Sequence, residues 1–141
     1  MKHLRTYEEK EYQSFTQEQK KLVNRMRYAL KKYWGVACGV TKNRLKSVEN
    51  PNPMNPYHPK IGDPNDNRIF HIGIPSFMWK DEIENFDIKV EKFNEVTKQL
   101  GIISPYDFDT SPIILNEDEM LSLLFRLKYL GVEIETDKYN L

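Results

Sequence analysis

The sequence predicts a helix-dominated α+β domain with three main helices, a small β element and a long surface excursion rich in proline and asparagine. Apolar residues recur at helical spacing in three stretches that begin or end at capping signals. A short run of isoleucine and phenylalanine is typical of a buried strand. Five of the eight prolines fall within residues 50–64 (NPNPMNPYHPKIGDP), which excludes a helix or a central strand there.

The composition is that of a folded and highly charged protein. Apolar residues make up 39% of the 141 residues, charged residues 30% and aromatic residues 12%. This length suffices for one domain with a buried core, so we expect a single domain over 1–141. We expect no membrane partner and no secretory signal, because no long apolar run occurs. The single cysteine, Cys38, favours a cytoplasmic location and a buried, inert thiol.

Charge is distributed unevenly along the chain, although the net charge is zero. Residues 1–48 contain 12 Lys and Arg against 4 Asp and Glu, whereas residues 49–141 contain 9 against 17. Such a division indicates either an anionic partner for the basic part or attraction between the two parts. That attraction can act within one subunit or between neighbouring copies.

The first helix is expected over 16–34, after a polar lead-in over 1–13. Thr16 and Gln19 have the spacing of a capping box, and Gly35 is a suitable stop. One face of this helix is apolar and the other is basic. The basic face consists of Lys20, Lys21, Arg25, Arg27, Lys31 and Lys32.

A polar segment over 41–67 follows and contains the proline-rich stretch. Prolines remove backbone donors and favour extended geometry, so this segment must run over the surface or along a partner. We interpret it as a partner-binding arm, with packing on its own domain as the alternative. Its candidate contact residues are Met54, Tyr57, His58 and Ile61.

The β element is expected over 68–74, and a second helix over 77–100 with Ser76 as its cap. A third helix is expected over 117–130, with an edge strand at 132–135 and a polar tail over 136–141. The expected core residues are Leu22, Met26, Leu30, Trp34, Phe70, Ile72, Ile83, Phe86, Val90, Phe93, Leu100, Leu121, Leu124 and Leu127.

The third helix has the strongest start signal in the chain. Asn116 and Glu119 form an N-x-x-E box at its beginning, and Gly131 is the expected stop.

No motif predicts a metal, a cofactor or a catalytic residue. The loop DPNDN (residues 63–67) resembles the first half of a calcium loop, but Arg68 stands where glycine is needed and Ile74 where glutamate is needed. His58 and His71 lack any second ligand at a metal-binding spacing. An enzyme with an active site assembled only in three dimensions stays an alternative.

The sequence therefore favours a non-catalytic protein–protein interaction or assembly protein that uses the arm and the basic helix, and that forms homo-oligomers or binds a protein partner. Its residue usage suits a small structural protein of a phage or mobile element, such as a head–tail adaptor, or an accessory inhibitor, which would place it in the host cytoplasm or the virion. The second alternative is a nucleic-acid-binding protein that uses the basic face over 16–34.

Overall fold

A computed structural model describes residues 12–43, 67–104 and 112–139. Within these ranges, three main helices pack around one hydrophobic core beside a three-stranded antiparallel sheet, which confirms the helix-dominated α+β class. In chain order the elements are α1 (Gln17–Trp34), β1 (Val40–Lys42), β2 (Phe70–Ile72), a 3-10 helix (Phe77–Glu82), α2 (Phe86–Gln99), β3 (Ile113–Leu115) and α3 (Glu117–Tyr139).

Both predicted capping boxes are confirmed. The Thr16 side chain accepts a hydrogen bond from the Gln19 backbone N–H at 3.2 Å, and the Gln19 side chain accepts one from the Thr16 backbone at 2.9 Å. Asn116 and Glu119 make the same reciprocal pair at 2.8 and 3.0 Å. Gly35 ends α1 in the left-handed conformation (φ 83°), as expected of a residue without a Cβ atom.

The prediction of one continuous second helix over 77–100 is wrong, because this segment is interrupted. Phe77–Glu82 forms a 3-10 helix that Ser76 caps, Ile83 is extended, and Asn85 adopts a left-handed conformation (φ 57°) before α2 begins. Asparagine tolerates this conformation better than most residues. The interruption buries Ile83 and leaves Trp79, four residues earlier, 47% exposed.

The third helix is longer than predicted. It continues through Gly131 to Tyr139, so the expected edge strand at 132–135 is wrong. Glycine ends a helix efficiently only in the left-handed conformation, and Gly131 does not adopt a positive φ. A glycine in helical geometry costs only about 1 kcal/mol relative to alanine. No proline follows it to stop the helix.

The sheet has the order β1-β2-β3, with β2 in the centre. His71 lies opposite Thr41 on one side and Ile114 on the other, on the face away from Phe70 and Ile72. Phe70 and Ile72 are fully buried, which confirms the predicted alternation of this strand.

The core matches the prediction in most positions. Nine of the expected residues are buried, whereas Leu22, Val90, Leu100 and Leu124 are only partly buried. Leu121 is 45% exposed and was wrongly placed in the core. Its helix buries a narrow stripe with spacings of three and four residues, and Leu121 lies one residue outside it. The buried stripe consists of Met120, Leu123, Leu127 and Leu130.

We expect Phe93→Ala to lower the free energy of unfolding by about 3–5 kcal/mol, because a fully buried ring is replaced by a cavity. Ile88→Ala on the same helix is the matched control, since Ile88 is about half exposed. Urea unfolding followed by circular dichroism measures both. Equal losses in the two variants would contradict the described packing of α2.

Candidate protein-interaction groove

The residues predicted for the arm, Met54, Tyr57, His58 and Ile61, lie outside the described residues. The basic face of α1 is described completely, and two parts of it differ in their surroundings: one packs within the chain and the other borders a groove. Of the remaining two residues, Lys21 pairs with Glu18 at 3.7 Å and Lys31 lies outside the groove.

The first part of the basic face surrounds Tyr12. The Lys20 ammonium lies 5.4 Å from the centre of the Tyr12 ring and the Arg27 guanidinium 5.2 Å from it. Arg27 also donates to the Val40 carbonyl at 3.2 Å. These cations stack on an aromatic face and contact the backbone of the same chain, so they are not simply presented to solvent.

The second part of the basic face borders a groove of about 1030 Å³ between α1 and α3. Arg25 and Lys32 line it from α1, and Lys128 lines it from α3. Neither α1 cation has an ion-pair partner among the described residues. Lys31, the exposed neighbour of Lys32, does not line the groove. The turn between the 3-10 helix and α2 contributes Glu82 and Asn85, among other residues, to the lining.

Two of the residues that line the groove are buried aromatic residues of the core. Tyr33 is buried and donates to the Lys89 carbonyl at 2.6 Å, and burial raises the pKa of its hydroxyl, which therefore stays neutral. Trp34 is fully buried, contacts the rings of Tyr33, Phe86 and Phe93, and also lines the groove.

The indole N–H of Trp34 is a buried donor without an acceptor among the described residues. An unsatisfied buried donor costs about 1–3 kcal/mol, and native structures contain few of them.

The rim of the groove exposes large apolar side chains. Tyr28 of α1 is 74% exposed, and Leu121 and Phe125 of α3 are 45% and 62% exposed. Phe125 contacts Tyr129 edge to face at a centroid distance of 5.0 Å. Contiguous exposed apolar residues beside charged ones are typical of binding surfaces.

A second exposed apolar group lies on the 3-10 helix. We call Phe77, Met78 and Trp79 the FMW turn; they are 74%, 80% and 47% exposed. None of the three lines the groove of its own chain. Lys80, which follows them, forms an ion pair with Asp87 at 3.3 Å.

The histidines considered as metal ligands in the sequence analysis have the following positions. His71 lies at 3.4 Å from the Thr41 hydroxyl, through Nδ1. Among the residues the structure describes, no group of three or more His, Cys, Asp or Glu side chains is placed to hold a metal ion. Within the same residues, no helix is long and apolar enough to cross a membrane. His58 lies outside the described ranges.

Comparison of the chain with protein-family models, with curated proteins and with solved structures gave no match. The geometry of the groove is therefore the basis for a functional interpretation.

Sequence reasoning missed the groove, although a signal for it was present. Leu121, Phe125 and Tyr129 repeat every four residues beside the buried stripe of α3. Two adjacent apolar stripes on one helix indicate that two different surfaces pack against it, and the fold of this chain supplies a surface for only one stripe.

We expect Cys38 to react slowly with a thiol reagent in the folded protein, because burial raises the pKa of its thiol from 9.0 to about 11. The unfolded chain releases this proton from about pH 9, so the free energy of unfolding falls as the pH rises from about 9 towards 11. Urea unfolding at several pH values should show a smaller decline in Cys38→Ala. A decline of the same size in both proteins would contradict this assignment.

Proposed function

We propose that this protein is a non-catalytic interaction protein whose groove between α1 and α3 binds a segment of a protein partner. The observation that carries the proposal is the combination of exposed apolar side chains with cations that have no ion-pair partner among the described residues. Tyr28, Leu121 and Phe125 provide the apolar contacts, and Arg25 and Lys32 the charges. Aromatic residues and arginine are enriched where proteins bind one another.

The chemistry of the groove favours an acidic, amphipathic segment. Its volume of about 1030 Å³ accommodates several large side chains. An acidic segment complements Arg25, Lys32 and Lys128; with Lys89, four basic residues line the groove against two acidic ones, Glu82 and Glu84. Apolar anchors at helical spacing would contact the rim, in the manner of a helix laid in a groove.

The nucleic-acid alternative keeps one supporting observation, because Arg25, Lys31 and Lys32 are exposed on one helix. The basic surface available to a nucleic acid is smaller than the sequence predicts, because Lys20 and Arg27 pack on Tyr12. Fewer available cations means fewer phosphate contacts and a weaker dependence on salt. The cytoplasmic location, the phage or mobile-element origin and the role of the proline-rich arm stay predictions.

A synthetic acidic amphipathic peptide with leucine or phenylalanine anchors should bind the groove, and its basic counterpart should not. The chain has two tryptophans, so in the Trp79→Phe variant all tryptophan fluorescence comes from Trp34 and reports whether the groove is occupied. Lys32→Glu should weaken binding about fivefold or more, because an exposed ion pair contributes about 0.2–1 kcal/mol and reversal adds repulsion.

Lys31→Glu is the matched control, since it makes the same charge change one residue away and outside the groove. We expect it to leave the affinity for the peptide within about twofold of the parent, because a charge outside the contact contributes little in salt. Equal effects of the two reversals, or equal binding of the acidic and basic peptides, would contradict the proposal. Binding of duplex DNA in place of the acidic peptide would favour the nucleic-acid alternative.

A further inference from the structure

We propose that the segment bound in the groove is the FMW turn of a second copy of this chain, so that two copies form a closed pair related by a two-fold axis. This inference rests on the proposed function of the groove and names its partner. Apart from the single side chain of Ile88, the exposed large apolar side chains of the described residues belong to the FMW turn or to α1 and α3 at the groove. Each is suited to cover the other.

The apolar surfaces are complementary in kind. The FMW turn projects Phe77, Met78 and Trp79 from a short helix, and the groove receives side chains between two long helices. A projecting turn cannot enter the groove of its own chain, because its residues do not reach the lining there. Methionine and aromatic side chains adapt well to an apolar recess.

The charges are complementary as well. Asp81 follows the FMW turn, is exposed and does not line the groove of its own chain, whereas Lys80 before it is already paired with Asp87. The turn therefore carries its net negative charge at one end. In the other copy, Arg25 and Lys32 line the groove that this end would meet. Opposite charges across a contact fix its register and suppress other arrangements.

The closed geometry follows from how near the two surfaces lie on one chain. Met78 precedes Glu82 on the groove lining by four residues, a distance of about 8 Å along a 3-10 helix. A two-fold axis beside the lining therefore places each turn in the opposite groove at the same time. Contacts of this kind are isologous and close after two copies, whereas a head-to-tail arrangement would continue.

The covered area reaches the range of specific interfaces. Each chain would contribute six exposed large side chains, three from the FMW turn and three from the rim of the groove. Eight of these twelve side chains in the pair are aromatic, with about 150–250 Å² each, and the others are methionine and leucine; being partly exposed, the twelve cover on the order of 1,200 Å² in total. Specific interfaces begin at about this size.

Sedimentation equilibrium of the full chain over a wide concentration range tests the pair. We expect a reversible dimer, and Met78→Asp in the turn and Phe125→Asp in the groove should each raise its dissociation constant at least tenfold. Both side chains are largely exposed, so both variants should fold. Lys98→Gln makes the same change in charge at an exposed site on α2 outside both surfaces, and should leave the constant within twofold.

An equimolar mixture of the two variants gives the sharper result. A heterodimer of Met78→Asp with Phe125→Asp retains one intact turn-in-groove contact, so it should form more readily than either variant's own dimer. A monomer at every concentration, a dimer insensitive to both changes, a mixture no stronger than its components, or growth beyond two copies would each overturn the pair. If the chain is monomeric but the acidic peptide binds and Lys32→Glu weakens that binding, the dimer inference fails and the proposed function stands. If the chain neither dimerises nor binds the acidic peptide, both the dimer inference and the proposed function fail.

Discussion

The packing around Trp34 is the constraint on which the rest of this structure depends. Trp34 is the last residue of α1, fully buried, and its ring lies 5.5 Å from Phe93 and 6.3 Å from Phe86 of α2. Fixed in this way, α1 cannot move away from α2 without opening a large cavity. The same ring lines the groove, so the stability of the core and the shape of the candidate binding surface share one residue.

The interruption between the 3-10 helix and α2 determines which apolar residues of this segment are buried and which are exposed. A continuous helix would place Trp79, Ile83 and Phe86 on one face, and all three would be buried together. The extended Ile83 and the left-handed Asn85 rotate the preceding turn outwards. Ile83 then completes the core while the FMW turn is exposed. A conformation that is unfavourable for most residues produces an exposed apolar surface, which is the kind of local cost that functional surfaces often carry.

Much of the fold could be predicted from the sequence because its signals are local. The reciprocal side-chain bonds of Thr16 with Gln19 and of Asn116 with Glu119 depend only on residues three apart. The burial of Phe70 and Ile72 follows from alternation along one strand. The end of α3 was missed because a glycine stops a helix only when it takes the left-handed conformation, which sequence does not determine.

The candidate site could not be predicted because it depends on which apolar residues the fold leaves uncovered. Leu121 was expected in the core, and it is exposed. The basic face of α1 is uniform in sequence, yet only the tertiary structure sets Arg27 on Tyr12 and Arg25 beside the groove. These are pairings between distant parts of the chain. The one local signal, the second apolar stripe of α3, does not show which residues lie opposite it.

The indole N–H of Trp34 provides the most direct measurement of the central claim, that the groove is a protein-binding surface. The chain has two tryptophans, so a nitrogen–proton correlation spectrum shows two indole signals, and Trp79→Phe identifies the one from Trp34. The Trp34 ring lines the groove, so a second copy or an acidic peptide bound there changes the surroundings of this proton. The account predicts a shift of its signal that grows with occupancy. An unchanged Trp34 signal under conditions where binding is complete would contradict it.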